Sequence, residues 1–268
     1  MNFISNPCTN PWWNMAMDEW LLQSGPSEPV FRLWRNEPSV IIGYNQVAEQ
    51  EVNLEYLQQH GIKLARRVTG GGAVYHDLQN LNYSFAGPLG TVSPELFAQA
   101  LRSLGLPAEL SGRNDIFLEG RKISGYARSM WHNRELVHGT LMYDVDIETL
   151  TAALNVEGSS KLNLKGVGSV RSRVTNVRDH LPQFSSLDEL QAALQQYLAS
   201  VSPTFASVPA PAFGTPIPEP ITVPAAGSPI SESLPASAGR EYLLSPADLA
   251  AIDTLCATKF STDGWILR

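Results

Sequence analysis

Apolar residues recur along this chain with two periods, one helical and one extended, and the changes between them mark out its elements. Asn10 followed by Pro11 has the form of an N-cap and first helical residue, and Trp13, Met17, Trp20 and Leu21 then fall on one helical face. Short β-prone runs follow at Val30–Trp34 and at 40–42, and a short helix over 53–60 is stopped by Gly61. Residues 62–68 predict a strand that runs into Thr69-Gly70-Gly71-Gly72, with extended segments again at 73–76 and 82–85, so the triple glycine is read as a turn between strands. Ser93-Pro94-Glu95 opens a helix with Leu96, Phe97, Ala100, Leu101 and Leu104 on one face, closed by Gly105. Residues 115–118 and 121–124 flank Glu119-Gly120, a link suited to a β-hairpin, and 136–143 supplies another strand. Ser186 with Glu189 makes a capping box for a helix reaching about Val201, and Ser245-Pro246 starts a last helix through Leu249, Ile252 and Leu255. Mixed in this order, the elements predict an α+β fold.

Residues 202–239 are rich in Pro, Ala, Ser and Gly, a composition that buries little apolar surface per ordered residue. They are read as a loop or linker between a main domain over 1–201 and a C-terminal helix and tail, 240–268, that packs on it. With 268 residues, 43% of them hydrophobic, one main domain accounts for the chain. No repeat of 20 to 50 residues and no sustained heptad pattern is visible, which excludes solenoids and coiled coils.

A formal charge of -7 disfavours generic binding to nucleic acid or to an anionic membrane surface, so local basic clusters need a local purpose. No run approaches the roughly 18 apolar residues that cross a bilayer, and the start MNFISNPCTN has no basic region leading into an apolar one, so the expected location is cytoplasmic. Cys8 and Cys256 lie near opposite ends without close-spaced partners, which fits neither a disulfide framework nor a zinc site; they read as reduced, structurally incidental thiols.

The strongest local signal is Arg66-Arg67-Val68-Thr69-Gly70-Gly71-Gly72-Ala73-Val74-Tyr75-His76-Asp77. Three glycines remove side-chain bulk and permit positive φ, so a ligand can lie against backbone N–H groups while the paired arginines add positive charge alongside. The alternative is a tight hairpin turn. Neither this run nor 166–171 fits a P-loop or a dinucleotide fingerprint. A second signal is Gly112-Arg113-Asn114-Asp115, leading to Gly120-Arg121-Lys122-Ile123-Ser124-Gly125, where a lysine between glycines can reach a phosphate or a developing oxyanion; otherwise Lys122 is a solvated strand lysine. In 169–176 the alternate Arg171 and Arg173 would share one face of an extended segment, either functional or an edge protected by charge. His138, within an apolar strand, reads either as a hydrogen-bonded core residue or as a ligand contact, and no His, Asp or Glu spacing demands a metal.

Together these segments resemble the lipoate-protein ligase A family, in the superfamily that also holds biotin protein ligases and octanoyltransferases. The resemblance runs in family order through Pro11 to Ala16, Leu33 to Asn36, Arg66 to Asp77 with Leu78 to Asn80, Ser111 to Asp115, Arg121 to Gly125, His138 to Leu141 and Gly168 to Asn176. It implies a class II synthetase-like fold with a largely antiparallel central sheet flanked by helices. It also implies activation of lipoate or octanoate by ATP with Mg²⁺ to an acyl-adenylate, and transfer to a lysine of a lipoyl domain, on an acyltransferase subunit of a 2-oxoacid dehydrogenase or on the glycine cleavage H protein. By the same resemblance Arg67, Thr69, Gly70, Gly71, Gly72 and Ala73 line the acyl-adenylate pocket and Lys122 is the catalytic contact to the carbonyl and phosphate region. Asn114, Asp115 and His138 support it, and His76 and Asp77 shape the loop.

The chain stops soon after Lys259 to Trp265, where the large domain of such ligases ends, so the resemblance leaves room for a separate accessory subunit that assists adenylation. Alternatives are a transferase of a preformed acyl group, or a noncatalytic lipoate-binding protein. A cysteine-dependent transferase is disfavoured, because no cysteine lies between residues 9 and 255 and acyl transfer through a thioester requires a thiolate. No residue type in the sequence distinguishes lipoate from octanoate. By charge alone, Arg121, Arg171 and Arg173 would face an acidic acceptor domain.

Overall fold

The structure is a computed structural model that describes residues 1–111, 114–154, 174–201 and 239–268. In chain order its elements are β1 (Asn2–Phe3), α1 (Pro11–Ser24), β2 (Val30–Trp34), β3 (Ser39–Ile42), α2 (Ala48–Glu51), α3 (Leu54–Gln59), β4 (Lys63–Arg66), β5 (Val74–His76), β6 (Asn80–Pro88) and α4 (Glu95–Ser103). Then come β7 (Glu109–Leu110), β8 (Asp115–Leu118), β9 (Arg121–Trp131), β10 (Arg134–Met142), α5 (Ile147–Ala153), α6 (Leu187–Ser200), α7 (Pro246–Leu255) and, after a π-helical turn over Cys256–Phe260, α8 (Asp263–Ile266). The expected α+β class holds. Among the described residues there is a seven-stranded sheet in the order β1-β2-β6-β10-β9-β8-β7, antiparallel except for β1 with β2, and a three-stranded sheet in the order β4-β3-β5.

Capping explains why the helices start where they do. Asn10 accepts from the backbone N–H groups of Trp12 and Trp13, with Pro11 at the first helical position, and Ser245 and Asp248 form a reciprocal capping box at α7. Asn53 caps α3, and Gly61, with φ of 64°, follows its end. The Glu119-Gly120 link is a two-residue turn with both φ angles positive, 50° and 74°, as the right-handed twist of a hairpin requires.

The large sheet has two unlike faces because side chains alternate along each strand. Phe31 and Leu33 of β2, Leu81, Tyr83 and Phe85 of β6, and Val137 and Leu141 of β10 form one apolar core with α4 and α6. The opposite face lies under α1 and is graded in three rows of cross-strand neighbours. The first row is apolar: Val30, Ala86 and Leu136. The second carries Arg32, Ser84 and His138, and the third Trp34, Asn82 and Thr140. The face is thus apolar at the packed end of the sheet and polar in the rows beyond it.

One expectation is corrected by topology. β4 and β5 do not pair with each other: β4 runs parallel to β3 on one side and β5 antiparallel on the other. The triple glycine is therefore a crossover around the end of β3 and not the tight hairpin weighed from sequence. Gly43, at that end, allows it: a Cβ there would lie 2.2 Å from the carbonyl oxygen of Gly71.

Residues 239–268 pack against α1 and β4. Trp13 Nε1 donates to Asp253 at 2.8 Å, Lys259 pairs with Glu19 at 2.7 Å, and Trp265 Nε1 donates to the Arg66 carbonyl at 2.9 Å. The N-terminal ammonium donates to the carbonyls of Ala199 and Val201, and Gly239 N–H to Ala199 at 2.7 Å. No described helix is long and apolar enough to cross a membrane.

Candidate active site

Between the third row of the large sheet and the glycine crossover lies a cleft of about 280 Å³. Its floor is a line of cross-strand neighbours. Trp34 pairs with Asn82, Asn82 with Thr140, and the Thr140 hydroxyl accepts from the N–H of Gly125 at 3.3 Å, whose other neighbour is Asp115. Ile41, Val74 and His76, which share one face of the small sheet, close it from above with Gly71, Gly72 and Ala73. The ends differ: Asn114 is exposed, while Trp34 and His76 are buried. A ligand entering beside Asn114 would run inward along the row.

Lys122 stands at the open end and pairs with Asp115, Nζ to Oδ1 2.7 Å. A break in alternation puts it there. Between β8 and β9 the register shifts so that Phe117 faces Lys122 while Ile116 faces Ser124; the extra residue, Ile123, is fully buried. Strict alternation would send residues 122 and 125 to opposite faces, yet Lys122 Nζ sits 3.0 Å from where a Cβ on Gly125 would be. Gly125 leaves the ammonium its space.

The glycine crossover is held by arginine. Arg67 is buried, and its guanidinium donates to the carbonyls of Ile41 (2.9 Å), Gly70 (2.8 Å) and Gly72 (2.7 Å) and to the Thr69 hydroxyl (3.1 Å). Burial brings its pKa down to about 10, still a cation at neutral pH. Arg66, expected beside Arg67 as a second charge for the ligand, points the other way. It is fully buried and donates to the carbonyls of Gly43, Tyr44, Gln46 and Ile266, tying β4 to the C-terminal segment. Neighbouring residues of a strand face opposite sides, so one of the pair serves the cleft and the other the scaffold.

Behind the floor the second row is bound to one carboxylate. Asp18 of α1 accepts from the Ser84 hydroxyl at 2.7 Å, pairs with Arg32 at 3.1 Å, and accepts from His138 Nδ1 at 2.7 Å. Burial alone would raise its pKa, but Arg32 and the His138 and Ser84 hydrogen bonds hold it below the usual carboxylate range. His138 Nε2 then meets the Thr69 hydroxyl at 2.7 Å, linking α1 through β10 to the glycine crossover. A second chain starts from Arg32, which donates to Asn14 Oδ1 at 3.1 Å and lies 4.5 Å over the Trp34 ring. Asn14 Nδ2 donates to Asn36 Oδ1 at 2.9 Å, and Asn36 Nδ2 contacts His76 Nδ1 at 3.0 Å.

Nine of the eleven residues expected at the site, Arg67, Gly71, Gly72, Ala73, His76, Asn114, Asp115, Lys122 and His138, line this one cleft. Thr69 and Gly70 sit behind the lining as partners of Arg67 and His138. Gly112, Arg113, Arg171 and Arg173 lie outside the described residues; Arg121 is exposed at the start of β9. Cys8 and Cys256 do not line the cleft. Sequence reasoning missed Asp18, Arg32, Asn14 and Asn36. The signal for the first three was a charged or amide residue in an otherwise apolar helix or strand, which requires a buried partner. Among the described residues no cluster of three His, Cys, Asp or Glu groups could hold a metal ion.

The model of the lipoyl protein ligase A/B catalytic domain matches residues 10–199. Lipoate-protein ligase LplJ of Bacillus subtilis is 41% identical over 207 residues, covering 74% of this chain and 62% of that protein, so the chain spans about three fifths of the curated relative's length. Among solved structures, a bi-partite lipoate protein ligase studied with its E2 lipoyl domain, from Thermoplasma acidophilum, superposes with a TM-score of 0.74 at 28% identity, covering 99% of this chain and 95% of that one. A lipoate-protein ligase A bound with ATP superposes with a TM-score of 0.73 at 28% identity, covering 99% and 98%.

Proposed function

The chain belongs to the lipoyl protein ligase A/B catalytic-domain family, and from that premise we propose that it joins lipoate or octanoate to a lysine of a lipoyl domain at the expense of ATP. The observation that carries the reading is the polarity of the cleft. A cation, Lys122, stands at its open end, and a lining of Met15, Trp34, Ile41 and Val74 continues inward, which suits a carboxylate or acyl phosphate with an apolar tail.

The chemistry takes two displacements. A carboxylate oxygen of the acid attacks the α-phosphorus of ATP and pyrophosphate leaves; the acceptor lysine Nζ then attacks the acyl carbonyl, AMP leaves with the C–O electrons, and the ammonium formed loses a proton. Both steps develop negative charge on oxygens at the open end, where Lys122 is a fixed cation and Asp115 holds its orientation. Its field also favours the neutral form of an arriving lysine. Arg67 and the His138–Thr69 bond keep the glycine crossover shaped for backbone contact with the ligand. Mg²⁺ would travel on the ATP phosphates. The acceptor reading is supported by the Thermoplasma ligase studied with its E2 lipoyl domain.

The test supplies ATP, Mg²⁺, lipoate and an apo lipoyl domain, with a parallel arm given synthetic lipoyl-adenylate, and reads the acceptor's mass. Modification is expected, and Lys122→Ala should slow it about 10²- to 10³-fold, the usual cost of one donor to a developing oxyanion. Modification from the adenylate alone would restrict the chain to the transfer step. Absence of modification in both arms would overturn the proposal.

A further inference from the structure

A buried guanidinium that has no carboxylate to pair with must find carbonyl oxygens for its five N–H groups. Arg66 is fully buried, no ion pair to it exists among the described residues, and its carbonyl partners come from two directions. Nη1 donates to Gly43, Tyr44 and Gln46 at 2.9, 3.1 and 2.7 Å, so residues 43–46 gather around one side of the fork. Nε donates to Trp265 at 3.0 Å and Nη2 to Ile266 at 2.8 Å, so α8 occupies the other. The fork is planar and rigid, and what aims one side aims both.

The first direction leads to the cleft. Tyr44 N–H donates to the Thr69 carbonyl at 2.8 Å, and Gly43 lies so close to Gly71 that a Cβ on it would stand 2.2 Å from the Gly71 carbonyl oxygen. Gly71 and Gly72 line the cleft. The second direction ends at Trp265, which returns the bond that it receives: its Nε1–H donates to the Arg66 carbonyl at 2.9 Å. The indole is itself held. Lys259 Nζ, paired with Glu19 of α1, lies 4.1 Å over the ring, and the Phe260 ring meets it at a centroid distance of 5.6 Å.

We infer that Trp265 is a positioning residue for the ligand, although it does not line the cleft: the indole aims Arg66, Arg66 gathers residues 43–46, and these hold Thr69 and Gly71 where the crossover meets the ligand. The inference deepens the acyl-ligase reading and rests on it for the identity of that ligand. Lys122 and Asp115 belong to β9 and β8 of the large sheet, a separate support. Loosening the crossover from α8 therefore weakens binding and leaves the chemistry beside Lys122 as it was, which reads as a raised KM at constant kcat.

A second tryptophan supplies the control. Trp13 Nε1 donates to Asp253 at 2.8 Å, so it too ties residues 239–268 to the rest of the protein through one indole N–H. That bond joins α1 to α7, and Arg66 has no part in it.

Trp265→Phe and Trp13→Phe each keep an aromatic ring and lose one donor. Both are compared with the unmodified full chain by hydrogen exchange of the ligand-free protein and by steady-state transfer from synthetic lipoyl-adenylate to an apo lipoyl domain. In Trp265→Phe, exchange in residues 43–46 and 69–73 is expected to quicken at least about fivefold, the weight of one hydrogen bond, with KM for the adenylate rising by a similar factor and kcat within about twofold. Trp13→Phe should change neither. Unchanged exchange in Trp265→Phe, an unchanged KM, a loss confined to kcat, or an equal change in the two variants overturns the inference. Transfer by the unmodified protein in any of those cases leaves the ligase reading standing. Faster exchange confined to Trp265→Phe, with no transfer by the unmodified protein, does the reverse: the ligase reading falls and the coupling of Trp265 to the crossover stands.

Discussion

Asp18 and Arg32 are each about 1% exposed, and removing one charge of such a pair costs more than the pair itself contributes. Asp18→Asn would leave the Arg32 guanidinium buried against neutral partners only. A loss of about 3–5 kcal/mol is expected, read as a lower urea midpoint; an unchanged midpoint would show that Arg32 finds another anion. His76 gives a pH signature of known sign. Its native pKa of about 3 lies below the unperturbed 6.5, so below that value the unfolded chain takes up a proton that the native state refuses. Its contribution is complete above pH 6.5 and is lost as pH falls toward 3, with a slope approaching about 1.4 kcal/mol per pH unit. Asp18 also loses its contribution as pH falls, but lower, below the ordinary carboxylate range. Urea titrations between pH 7.5 and 5 should therefore show a shallower slope for His76→Gln than for the unmodified protein; parallel slopes would mean that His76 is protonated in the native state. The residues that sequence reading found at the site were those that stand in glycine-rich company. The ones it missed, such as Asn14 and Arg32, act through partners distant in sequence, and no local pattern announces a contact between residue 14 and residue 36.

Elements were legible where a local signal defined them: Asn10-Pro11 at the start of α1, the Glu119-Gly120 turn, and the capping residues of α6 and α7 all act within four positions of themselves. The partners of β4 and β5 were not, because strand pairing is decided by packing across the chain; β3, between them, lies earlier in sequence than both. The bulge at Ile123 was equally hidden, though it orients Lys122. The crossover offers the sharper test. Gly43→Ala brings a Cβ to 2.2 Å from the Gly71 carbonyl oxygen and 3.2 Å from Arg67 Nη2, so backbone must move. A loss of about 1–3 kcal/mol in stability, typical of overpacking, should accompany reduced ligand binding; an unaffected affinity would show that the crossover shape is not what the ligand reads.

At the scale of the molecule, composition and charge excluded membrane spans and nucleic-acid binding as expectations, but nothing in them foretold that Arg66 would tie the glycine crossover to residues 265 and 266. Those bonds run both ways, Arg66 Nε donating to the Trp265 carbonyl at 3.0 Å and Trp265 Nε1 to the Arg66 carbonyl at 2.9 Å. The C-terminal turn thus belongs to the framework of the site. Replacing residues 202–238 by a short Gly/Ser linker is expected to leave thermal stability within about 1 kcal/mol and acyl binding intact; a large loss would assign that segment a structural part of its own.

That expectation follows from the place where the chain departs and returns. Ala199 accepts a hydrogen bond from Gly239, and the same carbonyl accepts from the first ammonium group of the chain. Three points far apart in sequence therefore meet at one knot of the backbone. Joining Ala199 to Gly239 carries the entropy cost of closing a loop whose ends already coincide. That cost grows with the logarithm of length, about 0.6 kcal/mol for each doubling. Changes of length within residues 202–238 are therefore expected to alter that closure entropy by little.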